Sequence, residues 1–361
     1  MRALRLHLFV LSSHRVALSA INYRQSFNPL DRRWGQPYIN MKLPSLSRQP
    51  KRVPWTMERL LSERALALSS SLDKSTHISY SSALNSWIAF VNMHHFDFEP
   101  TADTLSFFVI YMSHQINPQS VKTYLSGLVS ELEQDFHDIS EIHKTKLVKK
   151  TMTGCLKLLA KPIHRKDPLY INDLTYLQKR FQHSTNHDDL LFFTLLATGF
   201  HGLHRLGDLT FPDDPAKWEW RKVSRLSSVV FQQPHYSFLL NAHKADKTFE
   251  GNTVLIQAFE DSFDPFPFFS RYLSSRDNLF PASSPLWLTS AGNVPTRSFF
   301  MSRFRFFFSK SYGGTSMRAG GATYLAMHGT SSSVIRAMGR WRSEARLHPT
   351  LLHALLQQRL H

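Results

Sequence analysis

The 361-residue sequence predicts a mainly α-helical protein of two domains, the second carrying one small three-stranded antiparallel sheet. Three observations lead there. Apolar residues recur at helical spacing through residues 80–160, with no strand pattern between them. A proline-flanked charged stretch, "AKPIHRKDPLYIND" (160–173), then breaks the periodicity and reads as a linker. Beyond it, helical stretches enclose three short β-rich runs separated by turn residues: "SSVVFQQ", "YSFLLNA" and "NTVLIQA". The expected division is a basic leader over 1–54, a helical domain over 55–164 and a second domain over 165–361.

The leader is punctuated by Asn28, Pro29, Gly35, Pro37, Pro44 and Pro50 and is expected to lack order. Its first thirty residues hold arginines and serines but no acid, the composition of a mitochondrial presequence. Basic leaders are also common on nuclear DNA-binding proteins, and the nucleus is the expected location, with the mitochondrion as the alternative. After Pro54, Tyr80, Leu84, Trp87, Ile88 and Val91 share one helical face. Leu105, Phe108, Val109 and Met112 share another, with Thr101 as N-cap. Asn117 caps a third helix that has Pro118 in its first position and repeats apolar residues at Tyr124, Leu128, Leu132 and Phe136. A basic helix from about Glu141 to Ala160 completes a bundle of four or five. In the second domain, helices are expected through "DLTYLQKRF", "DDLLFFTLLAT", "TRSFFMSRFRFFFSKSY" and "SMRAGGATYLAMHG".

Charge narrows the function. Forty-three Lys and Arg against 27 Asp and Glu leave +16, which predicts a polyanionic partner, nucleic acid or an acidic membrane surface. The surplus is clustered. Residues 297–361 hold ten Lys or Arg against the single acid Glu344, and residues 144–166 hold eight with none. Two separated basic surfaces suit a grip on an extended polyanion from two sides. No apolar run reaches the ~18 residues needed to span a membrane. The single cysteine, Cys155, excludes an intramolecular disulfide and a Cys-rich zinc site, and reads as core. His201, His204, His243 and His328 lack the carboxylate or cysteine spacing of a metal centre, so no metal is expected.

Two arginines stand in similar settings. Arg205 follows an apolar helix that breaks at Gly199 and Gly202, and it opens the next helix three residues before Asp208. Arg318 opens another helix in "GGTSMRAGGATYLA", between Gly313–Gly314 and Gly320–Gly321, glycines expected to let backbone approach a ligand. A guanidinium fork binds two phosphate oxygens at once, and a helix N-terminus adds amide donors. Two such sites could clamp one phosphodiester. The plain alternative for Arg205 is a surface pair with Asp208, worth ~0.3 kcal/mol.

At these residues the sequence resembles the tyrosine recombinases and integrases, most of all those of fungal mobile elements. "LLATGFHGLHRLGDLT" is similar to the family's first arginine motif and "HKADKTFEGN" to its lysine hairpin. "TSMRAGGATYLAMHG" is similar to its His-x-x-Arg motif, and "VIRAMGRWRSEA" to its His/Trp motif. Each is weak alone, but four in order over about 300 residues are specific. The resemblance implies a C-shaped clamp of a SAM-like core-binding domain and a catalytic domain on double-stranded DNA. It also implies DNA cleavage and rejoining without a cofactor, and a possible homo-oligomer on DNA. It makes Arg205 and Arg318 the phosphate-clamping pair, Lys244 the general acid with Lys247 in reserve, and Trp341 a donor to the scissile phosphate. The expected DNA-contacting residues are Lys122, Lys144, Lys146, Lys149, Lys150, Lys247 and Arg340. Two departures stand out. Thr315 occupies the histidine position. The tyrosine nucleophile, due eight or nine residues after Trp341, is missing: residues 342–361 contain none. Thr350 has the spacing, but its alkyl hydroxyl is less acidic than a phenol. Tyr324 reads as core. The chain as written is therefore expected to bind DNA with impaired cleavage, a non-catalytic regulatory DNA-binding protein being the alternative.

Overall fold

A computed structural model describes residues 53–341 apart from 70, 72, 163, 242–245, 247–249 and 260–262. The basic leader, Lys244, Lys247 and Thr350 lie outside the described residues, as does everything after Trp341. The chain divides into two units at Ser70/Ser71. In the first unit the described element is helix α1 (Met57–Ser69), carrying the exposed Met57, Leu60, Leu61, Leu66 and Leu68.

The second unit opens with five helices: α2 (Lys74–His94), α3 (Ala102–Gln115), α4 (Pro118–Leu132), α5 (Ile139–Lys144) and α6 (Lys146–Leu159). The expected caps are in place. The Thr101 hydroxyl accepts from the Thr104 amide at 3.1 Å, and the Asn117 side chain accepts from the Gln119 amide at 2.9 Å. Each satisfies a donor that the first turn of a helix leaves without a partner. Trp87, Phe90 and Phe108 form the aromatic centre of this bundle, with ring centroids 5.4–5.8 Å apart. Burying each such ring stabilises by roughly 1.5–3 kcal/mol.

Two expected helices of this bundle are shorter in the structure. α4 stops at Leu132, and the chain turns so that Phe136 meets Phe98 at 6.0 Å. The basic helix of 141–160 is two helices divided at Thr145, whose extended ψ of 152° ends α5 and starts α6.

Past the linker come α7 (Ile171–Phe181), α8 (His187–His201) and the one-turn α9 (Leu206–Leu209). The sheet follows: β1 (Val230–Gln232), β2 (His235–Leu240) and β3 (Asn252–Ile256), antiparallel in the order β1-β2-β3, with Val230 opposite Ser237 and Phe238 opposite Val254. Then come α10 (Phe266–Leu279), α11 (Arg297–Phe307), α12 (Ser316–Met327) and α13 (Ser332–Gly339). Helix α10 has no counterpart in the sequence reading.

The buried side chains form two large clusters on either side of the linker. One centres on Trp87, Phe108 and Leu128, the other on Phe193, Phe269 and Phe300. α8 is the axis of the second. Every residue of it except Asp188 and Asp189 is buried, and it packs on α10 and α12. Among the described residues, no helix is long and apolar enough to cross a membrane.

Candidate functional site

The buried axis α8 ends in a turn at Gly202–His204 that is itself buried, with Leu203 in the left-handed region at φ 49°. Arg205 follows as N-cap of α9. Asp208, whose side chain is 6% exposed, accepts the Arg205 backbone N–H at 3.0 Å. Its carboxylate also faces His204 Nδ1 at 3.9 Å and Arg340 Nη2 at 4.0 Å. Asp208 is thus a buried structural acid, which corrects the simple surface-pair alternative. The Arg205 guanidinium is left with Nη1 buried and without a hydrogen-bond partner among the described residues.

Arg318, 6% exposed, is the third residue of α12. Its Nη2 donates to the Gly339 carbonyl, and its Cζ lies 4.4 Å over the Trp341 ring. Its Nη1, like that of Arg205, is buried with no partner among the described residues. Burial and the nearby charges of Arg205 and Arg340 push the guanidinium down to about 9, Asp208 opposing them, so it remains a cation at neutral pH. Burial also lowers Arg340, with Arg205 adding to the effect and Asp208 opposing it. Three guanidiniums therefore feel one another with one carboxylate between them. The arrangement is short of negative charge.

The glycines around Arg318 serve a different purpose from the one expected. A Cβ on Gly320 would lie 2.1 Å from the Leu169 carbonyl oxygen, and one on Gly321 would lie 2.1 Å from that of Phe200. Both glycines let α12 press against protein backbone, and that contact sets the depth of Arg318. Gly313 faces the Lys166 stem, and Gly314 faces Leu206 and the Arg297 guanidinium.

Thr315 is the exposed N-cap residue of α12, with no side-chain cap bond. Trp341 presents its ring face to Arg318 and packs with Leu203, Ala322 and Ile335. Arg340 lies inside the cluster, its side chain 9% exposed. Lys122 on α4, Lys144 on α5 and Lys146, Lys149 and Lys150 on α6 are all exposed. Lys144 is bound to Glu141 at 2.8 Å, so it contributes less free charge than the sequence count implies. Tyr324 stacks on Phe259 and His328, a packing position.

The sequence reading paired Asp208 with Arg205 but placed it on the surface, and it missed the Gly339 carbonyl that holds Arg318, which nothing local signals. Among the described residues, no group of three or more His, Cys, Asp or Glu could hold a metal ion.

No protein-family model matches the chain, and no curated protein matches it in sequence. Solved structures do. A lambda integrase dimer bound to a core site superposes with a TM-score of 0.51 at 12% identity, over 83% of this chain and 95% of that one. The Tn1549 transposon integrase in complex with transposon right-end DNA gives 0.52 at 11%, over 84% and 98%. The site-specific recombinase XerH, in a post-cleavage complex with its difH substrate, gives 0.51 at 14%, over 78% and 75%. At these identities the likeness is one of fold: the chain has the helical, small-sheet architecture of the integrases and site-specific recombinases.

Proposed function

We propose that the chain grips duplex DNA as a tyrosine recombinase does, holding one backbone phosphate between Arg205 and Arg318, and that as written it cannot form the covalent phosphotyrosine link. One observation carries the reading. Among the described residues, two guanidiniums that feel each other's charge each keep a buried, unpartnered Nη1, and Asp208 is the carboxylate beside them. An unpaired buried donor costs ~1–3 kcal/mol, more when charged, so the site is built for an anion with several oxygens. A phosphodiester offers two unesterified oxygens to two forks. The integrase fold adds weight to that choice, and the exposed lysines of α4 and α6 would add backbone contacts.

In such a clamp, fixed cations stabilise the charge that develops on phosphorus, so positioning and electrostatics need no metal or nucleotide cofactor. Lys244, on the β2–β3 connection, would protonate the leaving 5′ oxygen, and Trp341 would border the phosphate. Covalent cleavage needs a phenol in line with that oxygen. Residues 342–350 offer none, and Thr315 offers a hydroxyl where an imidazole is expected. Within the family, the Gly-Arg-Trp run at 339–341 suggests kinship with the recombinases of fungal mobile elements. Assembly on DNA and a nuclear location fit the same reading.

The test is a denaturing gel of the protein with a labelled, nicked duplex that traps a covalent intermediate. We expect salt-sensitive binding in the native gel and no covalent band. Inserting a Phe-x-x-Tyr-Ile segment after Ala345 is expected to restore some trapping, limited by Thr315. A covalent band from the unmodified chain would overturn the inactive reading, and failure to bind any duplex would overturn the clamp. Binding to one defined DNA sequence, with no trapping even after the insertion, would favour a regulatory DNA-binding protein.

A further inference from the structure

Arg340 is one of the seven residues expected to contact DNA, yet its geometry points inward. It caps α13 in the left-handed conformation, φ 54° and ψ 42°, a region that favours glycine. Its Nη2 donates to the carbonyls of Gly202 and Leu203 and contacts His204 Nδ1, each at 3.3 Å. Those residues form the turn between α8 and α9, and that turn delivers Arg205. Leu203 is left-handed as well, so two non-glycine residues hold this conformation on either side of one set of hydrogen bonds. The same guanidinium is 4.0 Å from Asp208, the acid that binds the Arg205 backbone.

Its two chain neighbours hold the other arginine. The Gly339 carbonyl accepts from Arg318, and the Trp341 ring lies against the Arg318 guanidinium. Gly339 has to be glycine for this, because a Cβ there would fall 2.4 Å from the Trp341 ring. One turn of chain thus touches both arginine motifs, which are more than a hundred residues apart in sequence.

We propose that Gly339–Trp341 is a latch that sets Arg205 and Arg318 relative to each other, with Arg340 a positioning residue acting through the 202–204 turn and not a phosphate contact of its own. The proposal rests on the phosphate-clamp reading for its effect on DNA. Its structural content, that Arg340 fixes the turn before Arg205, stands apart from that reading. The side chain is 9% exposed and its Nη2 is committed to two backbone carbonyls, while its Nε, buried and without a partner among the described residues, is shut off from a phosphate at the surface. Lysine is a poor replacement, because all these contacts converge on Nη2, which the rigid guanidinium plane aims at the turn and a flexible ammonium stem does not.

Two measurements test the latch. The first is a double-mutant cycle on duplex affinity and its salt dependence, using Arg205→Ala, Arg340→Lys and the pair. Arg340→Lys keeps the charge, and we expect it to weaken binding about tenfold in the wild-type background. In the Arg205→Ala background it should weaken binding less than twofold, with no further fall in the salt slope. Full additivity would mean that Arg340 acts on DNA independently of Arg205, as a second phosphate contact would, and would overturn the proposal.

The second measurement is amide hydrogen exchange without DNA. Arg340→Lys should speed exchange at Gly202–Leu206 at least tenfold while the amides of α8 keep wild-type protection. Unchanged exchange there would overturn the latch whatever DNA does. If Arg205→Ala itself leaves DNA affinity intact, the clamp reading fails, and the exchange result still decides the latch.

Discussion

Replacing Arg318 with methionine should stabilise the DNA-free protein slightly while abolishing its response to DNA. A guanidinium pushed down from its ordinary range to about 9 sits where its charge is ~5 kcal/mol less favourable than in water. Methionine removes that cost and fills much of the same volume. Against the gain stand the Gly339 carbonyl, left without its donor at ~1–3 kcal/mol, and the lost cation–π contact with Trp341, worth up to ~2 kcal/mol. The balance is roughly 0–4 kcal/mol in favour of the variant, the sign found when other buried ionic groups are exchanged for apolar ones. For a domain of this size that is a rise in Tm of up to several degrees. Wild type should gain further stability from a saturating short duplex by mass action, and Arg318→Met should gain little. Differential scanning calorimetry with and without the duplex reads both effects. A DNA-free Tm several degrees below wild type, or an undiminished DNA-induced shift, would show that Arg318 is a structural arginine and not a ligand-holding one.

Gly320→Ala should destabilise by about 1–3 kcal/mol, since its Cβ must be accommodated against the Leu169 backbone and the usual helix gain of alanine over glycine is smaller; the denaturant midpoint checks this. His201 is pushed down to about 4 by burial, while an unfolded imidazole takes its proton near 6.5. The unfolded state therefore binds the extra proton first: stability is full above about pH 6.5 and falls by roughly 3 kcal/mol as pH drops to 4. His201→Phe should flatten that part of the pH–stability curve, and an unchanged curve would refute the assignment. Among the α6 lysines, Lys149→Ala should lower duplex affinity and the salt slope by about one ion. Lys144→Ala should do less because Glu141 already neutralises it, and fluorescence anisotropy across a salt series ranks the two.

By itself the sequence determined what depends on neighbouring residues. The caps at Thr101 and Asn117, the apolar stripe of α3, the three short strands and the two arginine motifs were all legible, because caps, periodicity and turn residues act within a few positions. The sequence did not reveal α10. Two prolines, Pro265 and Pro267, stand at its start, and its buried face runs Phe268, Phe269, Tyr272 and Arg276. The arginine interrupts the apolar pattern, and only in the fold do the carbonyls of Pro285, Phe280 and Ser283 satisfy it. Gly320 and Gly321 looked like room for a ligand until the backbones of Leu169 and Phe200 occupied that space. Arg340 counted as one more surface charge until the turn at Gly202–His204 came to lie against it. In each case the deciding partner is distant in the chain, and burial and charge compensation depend on it. Sequence supplied the cations, and tertiary structure decided which of them lost their water and gathered around a single carboxylate.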